Sequence, residues 1–121
     1  MQITEEWYSF EIPDRLKELL GVRKRRNCID LILLQEEDHS CSGLLVSLKC
    51  LKRRHAQLDD YTELLGRLTS ENGDSRYLYA VYGKEGSVSE ENEDLYWRLR
   101  DKLCLVFDSI SPSDGKTWLA S

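Results

Sequence analysis

The sequence predicts an α+β domain with one central mixed sheet of about four strands and flanking helices. Three observations point there. Apolar runs of strand length, "CIDLILLQ" (28–35) and "GLLVSLKC" (43–50), are separated by the polar turn "EEDHSCSG". Two segments, 13–21 and 57–70, carry leucines at helical spacing between helix-start and helix-stop residues. A third apolar stripe, Leu95, Leu99, Leu103, Val106, Phe107 and Ile110, repeats every three or four residues.

Taken in order, "WYSFEI" (7–12) alternates large apolar with polar residues, a strand pattern. Pro13 suits a first helical turn, and Gly21 suits the exit of a helix that would bury Leu16, Leu19 and Leu20. The runs 28–35 and 43–50 lie close enough to form an antiparallel hairpin. "QLDDYTELLGRLTS" (57–70) reads as a helix capped by Asp59 or Asp60, with Tyr61, Leu64, Leu65 and Leu68 on one face. "ENGDS" breaks the chain, and "RYLYAVYG" (76–83) returns as a strand rich in Tyr and Val. Ser87 and Glu90 have capping-box spacing for the last helix, which Pro112 ends. The whole of 1–121 reads as one domain, with a core of about 7–82, a C-terminal helix of about 89–110 and a short tail, 111–121. The order strand, helix, strand, strand, helix, strand, helix leaves a second arrangement open, a ferredoxin-like βαββαβ followed by a C-terminal helix.

Composition narrows the function classes. With 121 residues, 40% apolar and 32% charged, the chain has room for one modest core. The longest apolar run, "LILL", is far short of a membrane span, and the first residues lack the basic start and apolar block of an export signal. Four cysteines without a CxxC pair suggest reduced thiols, so a cytoplasmic protein without a membrane partner is expected. Cys28, His39, Cys41, Cys50 and His55 lack knuckle spacing for zinc, and "SDGKTW" (113–118) lacks the earlier glycine of a phosphate loop. A net charge of −5 disfavours general coating of nucleic acid, yet the charge is segregated. Arg23, Lys24, Arg25 and Arg26 form one basic run and Lys52, Arg53 and Arg54 another, while acids gather at 36–38 and 90–94.

The hairpin gives this segregation a geometry. If its turn centres near His39 and Ser40, Asp30 falls near Leu48, between Ser47 and Lys49. One step of register sets Asp30 and Lys49 side by side, and the two basic runs meet at the same end. A carboxylate and a lysine beside a basic rim suit phosphodiester chemistry, provided a second carboxylate completes a divalent-metal site.

The segments "CIDLILLQ", "GLLVSLKC", "AQLDDYTELL" and "RYLYAVYG" together resemble the core of the PD-(D/E)XK nuclease superfamily, over roughly residues 14–82. The resemblance implies a restriction-endonuclease-like sheet and an Asp30 that binds Mg²⁺ or Mn²⁺, without an organic cofactor. It places Lys49 at the catalytic lysine. The first acid of the usual acid-x-Lys pair is replaced by Ser47, so the resemblance moves the second metal ligand to Glu63 of the next predicted helix, with Glu18 as a further acid. Gln57 and Tyr61 fall where supporting residues stand. The implied activity is metal-dependent cleavage of nucleic acid, or binding without cleavage, by a protein small enough for homodimerisation to be plausible. The alternative is a non-catalytic interaction module, an inhibitor, immunity-type protein or complex subunit. Trp97, off the main apolar stripe, would then mark a contact with a protein partner or a second copy.

Overall fold

The computed structural model describes residues 1–84 and 86–121, and it is mostly β, with 42% strand and 15% helix. It contains two antiparallel sheets. The smaller has three strands in the order β1 (Gln2–Thr4), β2 (Tyr8–Glu11), β8 (Ser111–Pro112). The larger has six: β3 (Leu20–Arg25), β4 (Cys28–Leu33), β5 (Leu44–Leu51), β7 (Ser75–Tyr82), β6 (Thr62–Ser70) and β9 (Lys116–Ala120), in that spatial order. A 3₁₀ turn at Glu90–Asn92 leads into α1 (Glu93–Asp101) and α2 (Leu103–Asp108). The expected α+β sandwich with a four-stranded mixed sheet, its restriction-endonuclease-like core and the ferredoxin-like alternative are all incorrect.

Two predicted helices are not helices, for different reasons. Residues 13–19 form consecutive turns in which the Pro13 carbonyl accepts from Leu16 N–H and Lys17 N–H, and the Leu16 carbonyl from Leu19 N–H and Leu20 N–H. These turns bury Leu16 and Leu20 without further helical propagation, and Leu20 then starts β3. The segment read as a helix over 57–70 contains β6, whose register against β7 slips by one residue between Leu64 and Gly66. That bulge inserts Leu65 into a two-residue alternation, so the apolar residues fall at 61, 64, 65 and 68 and imitate a helical stripe. Gly66 is required there, since a Cβ would lie 2.5 Å from the Trp118 ring. The supposed tail, 111–121, supplies β8 and the edge strand β9.

Cross-strand partners share a face of a sheet, which sorts the side chains of the large one. One face carries Leu20, Val22, Ile29, Leu31, Val46, Leu48, Leu78, Ala80 and Leu68, and it packs on the small sheet and the helices. Phe10, Ile12, Leu99, Leu103 and Val106 complete that core. The helix is docked from a distance. Tyr96 Oη donates to the Leu44 carbonyl at 3.0 Å, and the Glu36 carboxylate accepts from Ser89 N–H, Ser89 Oγ and Asn92 Nδ2 at the start of the helix. Glu36, rather than a Ser87–Glu90 box, therefore satisfies the helix start; Ser87 Oγ bonds the Lys84 carbonyl instead. No helix among the described residues is long and apolar enough to cross a membrane.

The opposite face of the large sheet is built differently. β5 and β6 run parallel with β7 between them, so the 52–61 connection must return along the sheet before β6 can start. It crosses this second face at Tyr79, where the His55 N–H donates to Tyr79 Oη at 2.8 Å and the two rings stack with centroids 4.8 Å apart. Arg23, Arg25 and Arg67 of this face are exposed.

Candidate functional site

Two rows of side chains cross the second face. One reads Arg23, Asp30, Ser47, Val81, Thr62; the next reads Arg25, Cys28, Lys49, Tyr79, Leu64. Asp30 and Lys49 thus share a face diagonally, with Asp30 opposite Ser47 and Lys49 opposite Cys28. The two basic runs converge as well. Arg26 and Asn27 form the two-residue turn between β3 and β4, Asn27 adopts φ 58°, and its carbonyl accepts from Cys50 N–H at 2.9 Å. That bond sets the turn against the end of β5, where Lys52, Arg53 and Arg54 begin the strap. Asparagine is among the few side-chain-bearing residues that tolerate this left-handed conformation.

Asp30 is fully buried and its carboxylate is saturated. Oδ2 accepts from Arg23 Nε at 2.9 Å, Arg23 Nη2 at 2.7 Å and Arg25 Nε at 2.9 Å. Oδ1 accepts from Arg25 Nη2 at 2.9 Å, Ser47 Oγ at 2.6 Å and, weakly, the Cys28 thiol at 3.5 Å. Burial by itself would raise the Asp30 pKa, but the hydrogen bonds from Arg25, Ser47, Arg23 and Cys28 outweigh it and hold the carboxyl well below the usual carboxylate range. The Cys28 thiol is pushed upward by burial and by Asp30, so it stays neutral near pH 7. The side chains of Arg23 and Arg25 remain 58% and 52% exposed. Asp30 thus works as an anchor that fixes two guanidinium groups at the surface.

Glu63 does not join this group. It pairs with Ala80 on the face that carries the core, on the far side of the sheet from Asp30, and accepts from Tyr82 Oη at 2.8 Å. The resemblance required both acids around one cation, and the register separates them. Nor does Asp30 alone fit Mg²⁺ or Mn²⁺, because a divalent ion there would have to displace two arginines and face their charge. No group of three or more His, Cys, Asp or Glu suited to a metal occurs among the described residues. Glu18 is exposed in the turns after Pro13, with no bond to Asp30.

The remaining residues divide clearly. Gln57 and Lys49 border one hollow of about 220 Å³ beside the strap, together with His55, Asp59 and Thr62. Tyr61 lies at the end of the strap under the Lys84 ammonium, 5.3 Å from the ring centroid. Lys24 points to the other face and pairs with Glu5 at 3.3 Å. Arg26, Lys49, Lys52, Arg53 and Arg54 make no ion pair among the described residues. Trp97 is 50% exposed, with Arg100 over its ring at 4.9 Å. Sequence reasoning missed Arg67, which shares the second face with Tyr77 and Leu51. The alternation after the Leu65 bulge is the signal that marks it. Tyr77 is half-buried, whereas Tyr79 is capped by His55 and has no free ring face on that side.

No family model, no curated protein and no solved structure matches the chain.

Proposed function

We propose that the chain is a non-catalytic module that binds single-stranded nucleic acid across the second face of the large sheet. The supporting observation is the convergence of Arg23, Arg25, Arg26, Lys49 and Lys52–Arg54 at one end of a face where, among the described residues, only the buried Asp30 pairs with any of them. Cations of this kind contact phosphates and set the orientation of a strand. The exposed side of the His55 ring and the half-buried Tyr77 offer π surfaces to unstacked bases, and Arg67 continues the charge beyond the strap. Cleavage is left out of the reading because the acid pair it needs is split between the two faces.

Fluorescence anisotropy with a labelled single-stranded oligonucleotide tests this. Binding should weaken steeply with salt, and replacing Lys52, Arg53 and Arg54 together by alanine should flatten the log–log salt slope by roughly 2, at about 0.7 per phosphate contact. Absence of binding at low salt, or a slope untouched by the triple replacement, overturns the reading. One observation favours a protein partner instead, the exposed Trp97 ring fixed by Arg100 and by an edge contact from Tyr96. That reading gains if Trp97→Ala abolishes recovery of a partner while the triple replacement has no effect.

A further inference from the structure

We propose that Arg23, Arg25 and Lys49 form a clamp for a phosphate monoester dianion, a terminal phosphate of a nucleic-acid strand. The inference rests on the binding reading above and names the chemical group its most ordered part receives.

Each arginine uses its Nε–Nη2 edge on Asp30, so in both the Nη1 groups remain free among the described residues. A single carboxylate at zero exposure holds both forks, which removes most of the freedom that arginine ordinarily loses on binding an anion. Lys49 stands two strands from Arg25 in the same row, and only Cys28 lies between them. Cys28 is small, buried and neutral, so the row dips between two long cations without adding negative charge.

Charge selects the ligand. Three cations around one carboxylate leave two positive charges, which match a phosphate monoester at roughly −1.5 to −2 near pH 7 better than a diester at −1. The planar forks suit the oxygens of phosphate, and the lysine adds a point charge that tolerates several geometries. Asp59 borders the same hollow as Lys49, but its Oδ1 accepts from Tyr61 N–H and Thr62 Oγ1, and no ion pair joins it to the lysine among the described residues. A diester backbone would pass over the other basic residues, Arg26 and Lys52–Arg54, which are exposed and not held by a buried anchor. The ordered pair and the loose cations therefore divide the work between an end group and the chain that follows it.

The test compares one oligonucleotide sequence carrying a 5′-phosphate, a 3′-phosphate or hydroxyls at both ends, each titrated into the full-length protein. A strand with a terminal phosphate should bind at least ~10-fold more tightly than the hydroxyl strand, the gain of one or two charge-assisted hydrogen bonds. Inorganic phosphate should compete for that increment. Arg25→Lys, which keeps the charge and loses the fork, should bring the ratio towards one, with the urea midpoint recording that the fold persists. Equal affinity for all three strands overturns the clamp and leaves the binding module standing. Binding of inorganic phosphate without binding of any strand supports the clamp and overturns the nucleic-acid reading. No binding of phosphate or of any strand overturns both.

Discussion

Asp30→Asn is the most informative perturbation of this fold, because it keeps the shape of the side chain and removes its charge. Five hydrogen bonds of 2.6–2.9 Å converge on the two carboxylate oxygens. An amide offers one oxygen, so its Nδ2 would face either the three N–H groups now at Oδ2 or the donors at Oδ1. Breaking a buried ion pair on one side costs about 3–5 kcal/mol. Arg23 and Arg25 are more than half exposed and regain water, so the lower end applies, about 3 kcal/mol. With a urea m-value of roughly 2 kcal/mol/M, the midpoint should fall by about 1.5 M at pH 7, read from tryptophan fluorescence. The pH dependence gives a second check. The folded pKa of Asp30 lies below its unfolded value of about 3.9, so its contribution is fully present above that value and is lost as the pH falls through the folded pKa. The gap between wild type and variant should therefore close in acid. An unchanged midpoint at pH 7, or a gap that widens towards pH 3, would refute the anchoring role.

Glu36→Gln should lower the melting temperature by loosening the helix start. Hydrogen bonds from Asn92 and Ser89 outweigh burial and depress the Glu36 pKa, so the effect should be present above about pH 4.3 and vanish in acid. A variant equally less stable at pH 3 and pH 7 would show that the charge is irrelevant there. Gly83→Ala places a Cβ 2.0 Å from the Leu44 carbonyl and 2.7 Å from Tyr96 Oη, where overpacking should cost about 1–3 kcal/mol in urea unfolding. A neutral result would mean that the helix is not seated as described. Millimolar Mg²⁺ or Mn²⁺ should leave the melting temperature unchanged, since a millimolar site at tenfold excess would add roughly 1.4 kcal/mol. A saturable rise that disappears in both Asp30→Asn and Glu63→Gln would restore the shared metal site.

Four strands were legible in the sequence because each has its own local signal. Residues 28–35 and 43–50 are apolar runs broken by a polar turn, 7–12 alternates, and 76–83 is rich in Tyr and Val. The last helix was legible from its stripe, although it breaks at Lys102 into α1 and α2. The meeting of the basic runs followed from the hairpin, because antiparallel pairing of 28–33 with 44–51 leaves few registers. The role of Asp30 was not legible, since Arg23 and Arg25 reach it from a strand hidden inside an expected helix and loop.

Period and composition by themselves determined which segments are apolar, where the chain turns and where positive charge accumulates. Only the tertiary structure decided what the ambiguous leucines do. At 61–68, a bulge and a helix leave nearly the same apolar spacing, and pairing with β7 and β9 selects the extended form. The same pairing sets Glu63 on the core side and Asp30 on the other, because a strand sends successive side chains to opposite faces and one residue of register decides which.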